Sequence, residues 1–293
     1  MQRSTIVALF ILALAAGLYV AFRDTDKADK TSVGISQQPC PAPLPLPIDL
    51  VNYRKALVTP GDGSLPTDGL RSKAVQIYRA TAAERARQDW PNLCQYRQDN
   101  AQLLGTGAAR PVAVFMGDSI TENWQISNPA YFSETAFINR GIGGQTTPQM
   151  LLRFRADVIA LNPQAVHILA GTNDIAGNTG ATTLRDIQGN IESMVELALA
   201  HNIHVVIGSL LPAGSFPWRP EMEPIGPIAE MNNWLREYAE KRGLVYVDYF
   251  SALTNGIGGL KAELTHDGVH PHQSGYAFME PLAQRAIERA LEN

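Results

Sequence analysis

The chain has 293 residues, of which 45% are hydrophobic and 18% are charged, and its formal net charge is −4. This composition excludes an intrinsically disordered, collagen-like or disulfide-dense protein, and the absence of a basic excess argues against a nucleic-acid partner. The length is sufficient for one large domain or two small ones with a sizeable buried core.

The chain begins with an uncharged apolar segment, residues 5–22, which follows Arg3. This pattern is typical of a cleaved signal peptide or a retained signal anchor within residues 1–23. Residues 13–15 read A-L-A, a weak cleavage signal, whereas the continuation of the apolar run to Phe22 favours retention. The segment has no polar face, which argues against a buried core helix. With Arg3 in the cytoplasm, the remainder would be exported, periplasmic or extracellular, and anchored to a membrane by residues 5–22.

Residues 24–69 are predicted to form a polar and Pro-rich linker. Residues 39–47 contain five prolines, which favours an extended polyproline spacer. The only two cysteines of the chain are Cys40 and Cys94. Export would permit a disulfide between them, and two unpaired thiols are the alternative.

Residues 70–110 are predicted to be a helical lead-in, and residues 111–293 a single domain in which short apolar runs alternate with amphipathic helical patterns. The predicted helices of the lead-in lie near residues 70–88 and 92–104. The predicted strands of the domain are 112–116, 135–139, 165–170, 203–209 and 244–249, and its predicted helices lie near 146–161, 182–201, 227–242 and 273–291. This alternation predicts an α/β fold, a three-layer α/β/α sandwich with a five-stranded parallel sheet, as in flavodoxin-like proteins. In such folds ligands bind at the carboxyl ends of the strands.

Three short motifs follow predicted strands at that edge. Residues 117–120 read G-D-S-I, residues 139–147 contain three glycines, and residues 171–174 read G-T-N-D. A serine, glycine N–H groups and an asparagine amide at one edge could attack a carbonyl and stabilise the resulting anion. Each motif alone could instead be a helix cap or a tight turn.

A fourth motif precedes the last predicted helix. Asp267 and His270 are three residues apart on one loop, so that a turn could bring the carboxylate to the imidazole, as nucleophilic serine catalysis requires. A metal site built from His266, His270, His272 and Asp267 is the alternative. We consider it weaker because nothing elsewhere in the chain looks like a matching set of ligands.

In this order the four motifs resemble those of the SGNH hydrolase family, also called GDSL esterases, over roughly residues 111–290. The sequence looks most similar to the small platelet-activating-factor-acetylhydrolase-like and lysophospholipase-like members. The resemblance implies the flavodoxin-like sandwich of that family and an esterase that needs no metal or other cofactor.

The resemblance also implies a role for each matching residue. Ser119 would be the nucleophile, His270 the general base and Asp267 the carboxylate that orients it. The backbone N–H groups of Ser119 and Gly144 and the side chain of Asn173 would form the oxyanion hole.

The substrate is expected to be a small-molecule ester or an ester of the cell envelope. Trp124, Phe216 and Trp218 are candidate substrate-binding residues, and ordinary packing is the alternative for each. No insertion resembles a lid, which favours short acyl or acetyl groups on lipids or carbohydrates. An O-acyltransferase acting on cell-envelope polysaccharide and a noncatalytic flavodoxin-like binding module are the alternative functions.

Overall fold

A computed structural model of the chain describes residues 39–105, 107 and 109–292. The chain divides into two units, residues 1–42 and residues 43–293. The predicted anchor at residues 5–22 and the polar segment at 24–38 lie outside the described residues. Within the described part, no helix is long and apolar enough to cross a membrane. Cys40 and Cys94 are both in a disulfide, as the sequence allowed.

Five parallel strands form a sheet in the order β2-β1-β3-β4-β5. The strands are β1 (Ala113–Gly117), β2 (Phe137–Gly141), β3 (Ala165–Leu169), β4 (His204–Gly208) and β5 (Val245–Val247). Nearly every strand residue is buried, because helices cover both faces of the sheet. The predicted five-stranded parallel sheet is therefore confirmed.

The described structure also contains eleven α-helices and three short 3-10 helices. The α-helices are α1 (Ile48–Val58), α2 (Lys73–Gln88), α3 (Arg97–Gly105), α4 (Ser119–Ser127), α5 (Pro129–Glu134), α6 (Thr147–Asp157), α7 (Thr172–Ile175), α8 (Leu184–Ala200), α9 (Ile225–Arg242), α10 (Tyr249–Leu253) and α11 (Gln273–Glu292). The 3-10 helices are Asp68–Arg71, Ile159–Leu161 and Ala262–Leu264.

Successive residues of β1 point into two different hydrophobic cores. Val114 and Met116 pack with residues of α6, α8 and α9 on one face of the sheet. Ala113 and Phe115 pack with residues of α4 and α11 on the other face. Burial of these two apolar layers is the main source of stability in such a sandwich, and the pattern confirms the predicted three-layer architecture.

The strand register brings three loops to one edge of the sheet. Gly117, the last residue of β1, pairs with Gly141 of β2 on one side and Leu169 of β3 on the other. β1 therefore ends between β2 and β3. Open parallel sheets bind ligands in a crevice at such a position. Gly141 must be glycine because a Cβ there would lie 2.2 Å from the backbone nitrogen of Glu122 in α4.

The amino-terminal part of the fold differs from the prediction of a linker over residues 24–69. Residues 48–58 form helix α1, and Leu57 and Val58 at its carboxyl end are buried. Val58 packs in the same core as α4 and α11. This segment therefore belongs to the folded unit and is not a spacer.

Candidate active site

Ser119 stands at the point where β1 passes into α4. Asp118 is the N-cap of this helix, and its side-chain oxygen accepts a hydrogen bond from the Ile120 N–H at 2.9 Å. The N–H groups of the first helical turn have no partner within the helix. The N–H of Ser119 is one of them, and none of the described residues accepts a hydrogen bond from it, so it is available to an anion at this edge of the sheet.

Ser119, His270 and Asp267 form a continuous hydrogen-bonded chain. The hydroxyl oxygen of Ser119 lies 2.9 Å from Nε2 of His270, and Nδ1 of His270 lies 2.7 Å from Oδ2 of Asp267. The other carboxylate oxygen of Asp267 accepts the backbone N–H groups of Val269 at 3.0 Å and of His270 at 2.8 Å. The loop thus holds both the carboxylate and the imidazole in place, an arrangement that can activate a serine.

The electrostatics of this pair match the roles of a base and its partner. Burial by itself lowers the pKa of His270, but the hydrogen bond and charge of Asp267, together with the charge of Asp118, raise it overall. Burial by itself raises the pKa of Asp267, but the hydrogen bonds and charge of His270 bring it down to about 2. The carboxylate is therefore ionised at neutral pH and favours the protonated form of the His270 imidazole.

The loop after β2, residues 141–146, is called the glycine loop below. The N–H of Gly143 donates to Oε2 of Glu122 at 2.9 Å. Gly144 has a positive φ of 78°, which favours glycine. No residue in the described part of the chain accepts a hydrogen bond from its N–H. Of these two adjacent glycines, only Gly144 thus has an N–H available to a ligand.

Asn173 lies in the first turn of α7, after β3, and its side chain is fixed by three hydrogen bonds. Its amide nitrogen donates to Oδ2 of Asp118 at 3.2 Å and to the carbonyl oxygen of Gln145 at 3.0 Å. Its amide oxygen accepts from Nδ2 of Asn178 at 2.8 Å. This network connects the loops that follow β1, β2 and β3.

Asp118 and Asn178 are site residues that the sequence analysis did not identify. Burial raises the pKa of Asp118 to about 6, although the Ile120 N–H and the charge of His270 act in the opposite direction. Asn178 donates to the carbonyl oxygen of Gly144 at 3.2 Å as well as to Asn173. Asp118 could have been found as the N-cap within G-D-S-I, whereas no motif marks Asn178.

Two of the three predicted substrate-binding residues are not at the surface of the site. Trp124 is completely buried, its ring stacks on Tyr131 and Tyr276, and its indole N–H donates to Glu280. Phe216 is also completely buried. Both are hydrophobic core residues, so the prediction that they contact substrate is wrong.

Trp218 is the one aromatic candidate that lies at the opening. Its side chain is 39% exposed, and its ring centroid is 6.0 Å from that of His270. The ring also packs on Phe216, with a centroid distance of 5.2 Å. The indole N–H donates to Oδ1 of Asn178 at 3.0 Å. Trp218 therefore forms a wall beside His270 and is also connected to the glycine loop through Asn178.

The alternative of a metal site at the histidine-rich loop receives no support from the geometry. His270 faces Ser119, and Nε2 of His266 lies 2.8 Å from the carbonyl oxygen of Thr59. Among residues 39–105, 107 and 109–292, no group of three or more His, Cys, Asp or Glu side chains is arranged to hold a metal ion.

Known proteins share both the sequence pattern and the fold. Residues 115–278 match the model of the GDSL-like Lipase/Acylhydrolase family. The structure of a proposed acylhydrolase from Bacteroides fragilis NCTC 9343 is similar with 45% sequence identity and a TM-score of 0.66, over 69% of this chain and 99% of that chain. Human platelet-activating factor acetylhydrolase IB subunit alpha2 is 28% identical over 199 residues, which are 65% of this chain and 82% of that protein. Acetylxylan esterase of Geobacillus stearothermophilus is 24% identical over 155 residues, which are 51% of this chain and 71% of that protein.

Proposed function

This chain belongs to the GDSL-like lipase/acylhydrolase family and is a hydrolase of ester bonds, and we propose that it hydrolyses carboxylic esters by means of Ser119, His270 and Asp267. The observation that carries the proposal is the continuous chain from the Ser119 hydroxyl to the Asp267 carboxylate, with contacts of 2.9 and 2.7 Å. In this reaction Ser119 is the nucleophile, His270 the general base and Asp267 the residue that orients it.

The reaction begins when Oγ of Ser119 attacks the ester carbonyl carbon and Nε2 of His270 takes the hydroxyl proton. Asp267 keeps the single N–H proton of the neutral imidazole on Nδ1, so that Nε2 presents a lone pair to the serine. Collapse of the tetrahedral intermediate breaks the bond to the alcohol oxygen, which receives the proton from His270. Water then attacks the acyl-enzyme by the same steps in reverse and releases the carboxylic acid.

The oxyanion would be held by the N–H groups of Ser119 and Gly144 and by the amide nitrogen of Asn173. Each donor of this kind contributes about 3 kcal/mol to transition-state stabilisation. We choose the Gly144 N–H as the donor because the Gly143 N–H is already hydrogen-bonded to Glu122. The Asn173 amide already donates to the neutral carbonyl of Gln145. A negatively charged oxygen is the stronger acceptor and would displace it.

The proposed substrates are short acyl esters, above all acetyl esters of lipids or carbohydrates. Two relatives carry names that denote acetyl ester hydrolysis, platelet-activating factor acetylhydrolase and acetylxylan esterase. The exposed face of Trp218 beside His270 is suited to pack against the apolar part of such a small ester.

We also propose that the enzyme is exported and held at a membrane by residues 5–22, in the periplasm or outside the cell. The disulfide that contains Cys40 and Cys94 supports an oxidising compartment. Removal of residues 1–23 should transfer the enzyme from the membrane fraction to the soluble fraction. Recovery of the full-length protein in the cytosolic fraction would contradict this location.

The catalytic proposal is tested with p-nitrophenyl esters of increasing acyl length and with acetylated oligosaccharides. We expect the fastest hydrolysis with the acetyl compounds and a loss of at least about 10³-fold in the Ser119→Ala variant. Retention of hydrolysis by that variant would contradict the proposal. Transfer of the acetyl group to an added oligosaccharide in preference to water would instead indicate an O-acyltransferase. A chain that neither hydrolyses esters nor reacts with a fluorophosphonate would be a binding module.

A further inference from the structure

Helix α1 lies outside the family-matched residues 115–278, but its side chains reach the surroundings of the nucleophile. Arg54, near the middle of the helix, forms an ion pair with Oε1 of Glu122 in α4 at 2.6 Å. Both side chains are 23% exposed. At the end of the helix, Leu57 and Val58 are buried, which fixes the position of α1 against the domain.

The carboxylate of Glu122 connects this ion pair to the glycine loop. Its second oxygen, Oε2, accepts the N–H of Gly143 at 2.9 Å. Gly143 lies close to the nucleophile, since a Cβ placed on it would be 3.7 Å from Cβ of Ser119 and 2.9 Å from Oε2 of Glu122. The carbonyl of Gly143 and the N–H of Gly144 belong to one planar peptide group. The Gly143 N–H lies in the preceding peptide group, so its hydrogen bond to Glu122 fixes one side of Gly143 and restricts the backbone dihedrals that set the direction of the Gly144 N–H.

The charge of Arg54 has a second effect at the same place. Glu122 brings a negative charge next to the loop where a substrate oxygen would become negative, and an unpaired carboxylate there would oppose catalysis. Arg54 neutralises this carboxylate while leaving Oε2 free to accept the Gly143 N–H. The positive charge of Arg54 also lowers the pKa of His270, although the effects of Asp267 and Asp118 in the opposite direction are larger.

We propose that Arg54 and Glu122 are positioning residues for the esterase reaction, and that helix α1 completes the active site through the contacts from Arg54 to Glu122 to Gly143. This inference rests on the proposed function. Helix α1, which lies outside the matched family residues, holds the glycine loop in the shape that directs the Gly144 N–H at the oxyanion.

The experiment compares Arg54→Ala, Arg54→Lys, Glu122→Gln and the double variant Arg54→Ala/Glu122→Gln in the full chain. The matched control is Lys55→Ala, because Lys55 is an exposed cation on the same helix. With p-nitrophenyl acetate we expect Arg54→Ala to lower kcat about tenfold with KM within twofold of the wild type, and Arg54→Lys to retain most of the activity. Glu122→Gln removes the charge but keeps an oxygen that can accept the Gly143 N–H. The double variant should therefore recover most of the kcat lost in Arg54→Ala.

A second readout does not depend on catalysis. The backbone amide resonances of Gly143 and Gly144 in nitrogen-15 NMR spectra should shift in Arg54→Ala and stay in place in Lys55→Ala. Unchanged resonances together with a kcat within twofold of the wild type would overturn the inference. So would a loss of activity that follows a lowered Tm and is not recovered by Glu122→Gln. If Ser119→Ala hydrolyses esters as fast as the wild type, the proposed function fails, and the NMR shifts still decide whether the contacts act on the loop.

Discussion

Replacement of Asn178 by alanine should lower kcat about 30-fold together with a modest loss of stability. Asn178 donates to the Gly144 carbonyl at 3.2 Å and to the Asn173 side chain at 2.8 Å, and it accepts from Trp218 at 3.0 Å. Neutral hydrogen bonds contribute about 1 kcal/mol each, and water can replace those that are partly exposed, so the free energy of unfolding should fall by about 1–2 kcal/mol. The two oxyanion donors that we propose and that Asn178 holds would contribute about 6 kcal/mol together. The loss of a third of this through misorientation is about 2 kcal/mol, or about 30-fold in kcat.

The control for this prediction is Asn128→Ala. Asn128 also joins neighbouring segments, because it donates to Glu280 at 3.0 Å and accepts the Tyr131 N–H at 3.3 Å, and neither partner belongs to the glycine loop. Steady-state kinetics with p-nitrophenyl acetate and thermal unfolding are measured for both variants. Similar decreases in Tm with a kcat loss confined to Asn178→Ala are expected. The reasoning is refuted if the kcat of Asn178→Ala lies within threefold of that of Asn128→Ala.

Three further results are expected. Asp267→Asn should lower kcat by about 10³–10⁴-fold, because an amide does not stabilise the imidazolium or fix the imidazole tautomer. A smaller loss in steady-state assays would show that another group orients the base. The plot of log kcat/KM against pH should fall as the pH drops through a pKa above 6.5, since His270 must be unprotonated to act and Asp267 raises its pKa; a fall that begins only well below pH 6.5 would contradict that direction. Trp218→Ala should raise KM about fivefold to tenfold with little change in Tm. Phe216→Ala should instead lower the free energy of unfolding by about 3–5 kcal/mol, because that ring is buried. Equal effects of the two variants on KM would argue against this placement of the two rings.

The sheet could be predicted because each strand is marked by a short, continuous stretch of the sequence. Strands buried on both faces appear as short continuous apolar runs, and the turns that end them contain glycine. Helix α1 could not be predicted in this way, since it buries only Leu57 and Val58 and its other apolar residues do not share a face. It follows a proline-rich stretch that gave the whole segment the appearance of a linker. Its position depends on packing against distant parts of the domain, which no periodicity within residues 48–58 reveals.

The candidate site shows the same division between local and distant information. Asp267 and His270 lie on one loop, and Ser119 directly follows a strand, so short motifs were sufficient to predict them as candidates. Trp124 and Phe216 were misassigned because an aromatic residue near a strand end can face either the cleft or the core. For Trp124 the answer depends on the orientation of α4, which turns the indole toward Tyr131 and Tyr276.

The glycine loop explains why several polar side chains lie around Ser119. Gly143 and Gly144 carry no side chains, so neither residue can anchor itself by packing, and the loop must be held from outside. Glu122 holds Gly143 through its N–H, and Asn178 holds Gly144 through its carbonyl oxygen. Glu122 and Asn178 differ in their surroundings. Glu122 forms an ion pair with Arg54 of α1, whereas Asn178 accepts a hydrogen bond from the exposed Trp218. A substrate that displaces the indole would move Asn178 and the Gly144 carbonyl with it, so the fit of a substrate against Trp218 should affect kcat as well as KM.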